Sequence, residues 1–406
     1  LVVAGTAPPG ENCIEHGSVA IAAVGPGGRL GPVRLVSDQR GTGSFDDRPV
    51  VAAGAGGLVW VAWSQGDDAD ACQDVGTSDR IEVAASRDGG VTFGPPVALP
   101  SAGGGSAFGA RLAPLAGRRV AVSWTEQMGN GAEAVLVSVL GPSGTPSPPR
   151  QVLAGDSPPL VLPGASFYDF PAGDVAVAGG TLVVAVPLWR SGHAVIALAT
   201  GVLSPATGIP DGQWLTSAVS PPSGADLLLP ALAPAGPGKV RLLCAVHWRA
   251  GDRLGYDWAD LSVARSGGAP APAAESGGLV PATPAPPGPG FYEIGEELSL
   301  APAPDGLLAS VVVAGAAGAR LQTLAWRVAA TPAASSGPGP SARPSPAISA
   351  APTGTAPSPA ASRALARPGA GRSGPVLVAA WTAAALVLLA AALSGWRLRR
   401  RGAARR

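Results

Sequence analysis

Residues 1–330 read as an all-β domain built on a radial repeat, and three observations carry that reading. Short apolar runs of Val, Leu and Ala alternate with Gly, Pro, Asp and Ser, and no long stretch shows a 3.6-residue period. One run recurs and ends in tryptophan: 58–63 at Trp63, 120–124 at Trp124, 182–189 at Trp189 and 240–248 at Trp248, spaced by 61, 65 and 59 residues. The same step onward lands on 308–313, and backward on 1–4. Six registers at a steady period point to a six-bladed β-propeller rather than a single sandwich. A five-bladed ring with an irregular joint is the alternative.

Each repeat reads as four strands, with the tryptophan-ending run second. In the second repeat they are 48–53, 58–63, 81–86 and 95–99, and in the third 110–115, 120–124, 134–140 and 150–153. The first repeat shows no innermost strand and the last no outermost one. The chain opens on Leu1 without an initiating Met. It reads as a trimmed product of a chain with an upstream signal peptide, whose missing N-terminal segment would complete the ring.

Composition changes after the repeats. Residues 331–373 are Pro, Ala, Ser, Gly and Thr with scattered Arg, a disordered stalk that buries too little apolar surface to offset its ordering entropy. The segment 374–396 follows, and from Pro375 to Trp396 it has 22 residues without a charge. As a helix that run would be roughly 33 Å long, enough to cross a hydrocarbon core of about 30 Å. Trp381 and Trp396 lie near its ends, and the tail 397–406 holds six arginines. One transmembrane α-helix with the N-terminus extracellular and the basic tail cytoplasmic is therefore expected at the cell membrane. Residues 1–330 hold 18 basic and 27 acidic side chains, a formal −9, while 331–406 hold 10 basic side chains and no acid. An acidic ectodomain with Lys239 as its single lysine is a poor partner for nucleic acid, whose affinity rests on cations at phosphates.

One turn carries a family resemblance. Ser86-Arg87-Asp88-Gly89-Gly90-Val91-Thr92-Phe93 lies between the third and fourth strands of the second repeat. It resembles the Asp-box (S-x-D-x-G-x-T-W/F) of bacterial-neuraminidase repeats in sialidase-like propellers, at the place where that family carries it. In such a box Ser86, Asp88 and Thr92 would bond the backbone of a tight turn, Gly90 would take φ > 0 and Phe93 would pack back on the hairpin. The box is structural and sits opposite the sialidase active site.

On that opposite face the resemblance places the loops leading into innermost strands. They repeat an aromatic-plus-acid pattern: Phe45-Asp46-Asp47, Phe167-Tyr168-Asp169 and Phe291-Tyr292-Glu293. Asp46, Asp47, Tyr168, Asp169, Tyr292 and Glu293 would line an acidic mouth suited to sugars, cationic peptides or a metal ion; in the bland reading the aromatics plug the channel and the acids cap strand ends. A sialidase needs an arginine cluster, a Tyr–Glu nucleophile and an acid or base. Arg48, Arg190 and Arg249, with Tyr292, Glu293 and Asp47, are the candidates. The arginine motif is degraded, since the residue between Arg48 and Pro49 is absent, and Tyr292 and Glu293 are neighbours in sequence.

The loop Gly66-Asp67-Asp68-Ala69-Asp70 offers clustered oxygens of the kind Ca²⁺ takes. It lacks the Gly and Glu of an EF-hand and reads first as a solvated turn. His16, His193 and His247 are scattered, so no zinc site is expected. Cys13 and Cys72 follow second strands of adjacent repeats at similar distances and are expected to form a disulfide, leaving Cys244 a buried thiol. The sequence thus reads as a membrane-anchored, extracellular propeller that binds or displays a glycan, peptide or protein without catalysis, with an exo-sialidase or glycosidase as the alternative.

Overall fold

The computed structural model describes residues 2–6, 16–23, 30–39, 44–67, 80–103, 105–128, 132–159, 161–165, 167–168, 172–210, 212–263, 271–276, 280–281, 292–293, 298–303, 306–315 and 318–327. All of them belong to the first of two units of the chain, Leu1–Ala333. Among these residues the structure is all-β, apart from one 3-10 turn at Ala55–Gly57. No described helix is long and apolar enough to cross a membrane; the expected span at 375–396 lies outside the described residues, as do Cys13, Cys72, Asp68, Asp70 and Asp169.

The strands form successive antiparallel meanders. A first sheet holds β1 (Val2–Thr6), β2 (His16–Ile21), β3 (Arg34–Leu35), β4 (Ser44–Ala53), β5 (Val59–Asp67), β6 (Arg80–Ser86) and β7 (Val97–Ala98), in the order β1-β2-β4-β5-β6-β7 with β3 also paired to β2. It contains two meanders, β1–β3 and β4–β7, joined by one parallel bridge between Gly17 and Phe45. Gly17 is needed there: a Cβ would stand 2.6 Å from the Asp46 carbonyl and 2.7 Å from the Phe45 ring. The next sheet is β8 (Ala107–Leu115), β9 (Arg119–Gln127), β10 (Glu133–Leu140) and β11 (Arg150–Gly155). After the short β12 (Phe167–Tyr168) come β13 (Asp174–Ala178), β14 (Thr181–Arg190), β15 (His193–Val202) and β16 (Leu215–Val219). Then follow β17 (Ala225–Gly236), β18 (Lys239–Trp248), β19 (Arg253–Ser262) and β20 (Ala271–Ser276), with β21 (Val280–Pro281) also on β19. After β22 (Tyr292–Glu293), the last sheet is β23 (Ser299–Ala303), β24 (Gly306–Gly315) and β25 (Gly318–Arg327).

Each meander packs face-on against the next, which explains the sequence pattern. Val19 of β2 meets Val61, Trp63 and Ala84; Trp60 and Val83 meet Val122, Trp124 and Leu136; Val135 and Val137 meet Val175, Leu182 and Val184. Ile196 and Leu198 then meet Leu227, Leu242 and Val246, and Leu243 and Tyr256 meet Leu298 and Ala309. A strand covered on both faces must be apolar at every position rather than at alternate ones. β9, β14 and β18 are buried almost throughout, whereas β16 alternates half-buried with exposed positions. The tryptophan-ending runs are these doubly covered strands. The first strands β4, β8, β13, β17 and β23 lie in contact as successive neighbours.

Several strands run further than the sequence pattern indicates. β4, β8 and β17 each carry a β-bulge, at Asp47/Val50, Phe108/Arg111 and Leu228/Ala231. The bulged residues Arg48, Gly109 and Leu229 have φ of 51°, 67° and 46°. An extra residue breaks the two-residue alternation, so the ladder beyond it is hidden from pattern reading.

The candidate ligand face and the Asp-box face

The meander connections sort into two faces. In the box loop the Gly89 amide donates to the Gly57 carbonyl at 2.8 Å, which puts the β6–β7 loop beside the β4–β5 turn. The starts of β4, β8, β13 and β17 and the ends of β5, β9, β14 and β18 are therefore on the other, candidate ligand face.

The 86–93 turn has the hydrogen bonds that its resemblance to an Asp-box implies. The Ser86 hydroxyl donates to Asp88 Oδ1 at 2.7 Å and accepts from the Gly90 amide at 2.8 Å. Asp88 Oδ1 also accepts from the amides of Val91 (3.0 Å) and Thr92 (2.9 Å), and Oδ2 from the Thr92 hydroxyl (2.6 Å). The Thr92 side chain foremost, then its amide and Ser86, hold the Asp88 carboxyl well below the usual carboxylate range. Gly89 and Gly90 take φ of 79° and 84°, and Phe93 is half-buried against the Val61–Trp63 core.

On the ligand face, acids act as internal anchors. Asp46 is 0% exposed; it accepts from the Ser37 hydroxyl, from Gln39 Nε2 at 3.1 and 3.2 Å and from Gln65 Nε2 at 3.1 Å. That is a correction to its expected place in an open mouth: the carboxylate ties the loop preceding β4 to β5. Asp47 next to it is 45% exposed and accepts the Arg48 amide at 2.7 Å, with Arg48 Nε 3.7 Å from its second oxygen. Glu126, also 0% exposed, accepts from the Ser101 hydroxyl (2.6 Å) and the amides of Ala102 (3.0 Å) and Gly103 (2.7 Å). Burial opposes its ionisation, but these hydrogen bonds outweigh burial and lower its carboxyl. Burial pushes Glu133 at the start of β10 upward, which the Ser157 hydroxyl offsets only in part.

The densest cluster joins the β13–β16 and β17–β20 meanders. Asp226 is 0% exposed and accepts both Nε and Nη2 of Arg249 at 2.8 Å, a closed guanidinium–carboxylate fork. It also accepts the Ala194 amide at 2.9 Å. His247, 0% exposed as well, lies between two carboxylates, Nδ1 3.6 Å from Asp226 and Nε2 3.1 Å from Asp252. Burial works against ionisation of Asp226, but His247 and Arg249 outweigh it and hold its carboxyl well below the usual range. Arg249 also donates to the Gly192 carbonyl and stands 5.5 Å over the Trp189 ring, while Arg253 stands 5.5 Å over Trp248.

The remaining expected residues fall as follows. Arg190 ends β14 and is exposed. β12 and β22 pair in parallel, with Phe167 opposite Tyr292 and Tyr168 opposite Glu293, so the backbone brings two of the three aromatic-plus-acid loops together. Cys244 is a free buried thiol whose titration is pushed far up by burial and by the nearby Asp257. Among the described residues no three His, Cys, Asp or Glu side chains are placed to hold a metal ion. Sequence reading missed Asp226, Asp252 and Glu126. The usable signal was Asp226 itself, a lone acid at the head of the apolar run 225–232.

No protein-family model matches the chain, and no curated protein matches it. Among solved structures the chain is similar to the Hadza microbial sialidase Hz136, at 12% identity and a TM-score of 0.48, over 76% of this chain and 59% of that one. It is similar to a Penicillium chrysogenum alpha-L-arabinanase complexed with arabinobiose, at 11% identity and 0.43, over 69% of this chain and 93% of that one. A Trypanosoma rangeli sialidase is similar at 11% identity and 0.42, over 75% and 49%. This chain thus spans about six-tenths of the length of Hz136.

Proposed function

We propose that the chain is a membrane-anchored, extracellular, sialidase-like six-bladed β-propeller that binds or displays a ligand at the cell surface without catalysis. The box hydrogen bonds at Ser86, Asp88 and Thr92 support the family reading. The succession of meanders, each sharing a core with the next, supports the ring. Among the described residues no strand precedes β1 in the first meander and none follows β25 in the last, which fits a ring closed between them. A ligand on this face would meet Asp47 and the loops of Tyr168 and Glu293.

The observation that carries the non-catalytic reading is the Arg249 fork closed on Asp226. An arginine gripping a buried internal carboxylate is not available for the carboxylate of a sialic-acid-like sugar. The full chain in detergent micelles is expected to release no fluorophore from a methylumbelliferyl sialoside above the buffer rate. Turnover abolished by Arg48→Met would overturn this reading. The alternative, an exo-sialidase or glycosidase, draws on Arg48 alone: a bulky residue held at φ 51° on a bulge beside half-exposed Asp47, the kind of strain found at functional sites.

A further inference from the structure

The ectodomain is acidic overall, yet cations gather on the box face. A cleft of about 720 Å³ lies there between the β4–β7 and β8–β11 meanders, with Arg87 and Arg118 among its lining and both exposed. Arg87 donates to the Pro142 carbonyl at 2.8 Å, Arg119 to that of Ala206 at 3.0 Å, and Arg34 to that of Val91. These partners are neutral, and among the described residues none of these guanidinium groups stands in an ion pair. Asp88, the carboxylate lining the cleft, keeps its charge but takes its hydrogen bonds from Ser86, Val91 and Thr92, not from the arginines, so one anion stands against the several cations. Aliphatic side chains protrude beside the arginines: Leu30 is 65% exposed, Val33 61%, Leu35 49% and Val91 50%.

We propose that the box face docks on an anionic phospholipid bilayer, with Arg34, Arg87, Arg118 and Arg119 at lipid phosphates and Leu30, Val33 and Val91 in the headgroup layer. A soluble polyanion would satisfy the guanidiniums but give nothing to the aliphatic side chains, which is why the bilayer is the occupant. The strand directions agree. β23 is an inner strand like β17, whose turn into β18 at 236–239 is on the box face, so β25 returns the chain to that face at Arg327. This inference rests on the membrane-anchored reading.

The full chain reconstituted in nanodiscs of neutral phosphatidylcholine, or of the same lipid with phosphatidylglycerol, tests it by hydrogen–deuterium exchange. Uptake over 87–92 and 117–119 is expected to slow about 25-fold or more in the anionic discs, and Arg87 or Arg118 removed singly to return about fivefold. The pair Arg87→Glu and Arg118→Glu, or Arg87→Gln and Arg118→Gln should uptake across β14–β19 change, restores the neutral-disc rate, as does high salt. Equal uptake in both discs overturns the docking, and so does equal slowing by heparin in neutral discs. Alkaline carbonate extraction separates the two readings. Release of the chain from native membranes overturns the anchor, whereas retention with equal uptake overturns the docking alone.

Discussion

At the residue scale, carboxylates do most of the organising, and they do it by accepting hydrogen bonds rather than by facing a ligand. Asp46, Glu126 and Asp226 are each fully buried and each hold a loop or hairpin that leads to the candidate face. Asp88 does the same at the box turn in an exposed setting. Its folded-state titration lies below the ordinary aspartate value of 3.8, so the stability it contributes is present above that value and is lost as pH falls through the folded pKa. Asp88→Ala is therefore expected to lower Tm at neutral pH, with the gap to the parent protein closing below about pH 4. Tryptophan-fluorescence melting across pH checks this, and a gap that persists unchanged into acid would contradict it.

At the element scale, the second strand of each meander is the legible one, because both of its faces are covered and its residues are mostly apolar, with buried Ser123, Arg241 and His247 among the exceptions. That is why Trp63, Trp124, Trp189 and Trp248 announced the repeat. The first strands were half-hidden by their bulges, whose extra residue shifts the alternation at Arg48, Gly109 and Leu229. The box turn was readable in full, since its chemistry is local to 86–93. The Arg249–Asp226 fork was not, since its partners are 23 residues apart and meet only when β17 and β18 pair. Turn strain gives a prediction at this scale. Arg118 is exposed at φ 61° in the β8–β9 turn, where glycine has no Cβ penalty. Arg118→Gly is expected to stabilise the fold by about 1 kcal/mol, read as a rise in Tm, while weakening the proposed bilayer docking. A fall in Tm would show that the arginine side chain contributes more than its backbone strain costs.

At the scale of the whole molecule, the two faces differ in kind. The candidate ligand face carries acids, most of them used to tie neighbouring meanders, with Asp47 left half-exposed. Among the described residues, the arginines of the box face bond neutral carbonyls and stand beside protruding aliphatic side chains. The sequence had placed the acids but gave no means of knowing which were buried, because burial is set by contacts between meanders. The Asp226–Arg249 pair is the clearest case, since it links the β17–β20 meander to Ala194 and Gly192 of the meander before it. Removing Arg249 leaves the buried Asp226 carboxylate poorly compensated, which costs about 3–5 kcal/mol, whereas removing Asp226 leaves a guanidinium that is partly exposed and costs less.

The measurement that bears most directly on the central claim is a double-mutant cycle at that pair, Asp226→Asn and Arg249→Met, followed by thermal melting of the full chain. If Arg249 is a brace, each single substitution lowers Tm and the double variant loses much less than their sum, with a coupling of about 2 kcal/mol or more. A coupling near zero, with Arg249→Met as stable as the parent protein, would contradict the account and return Arg249 to the role of a ligand-gripping residue.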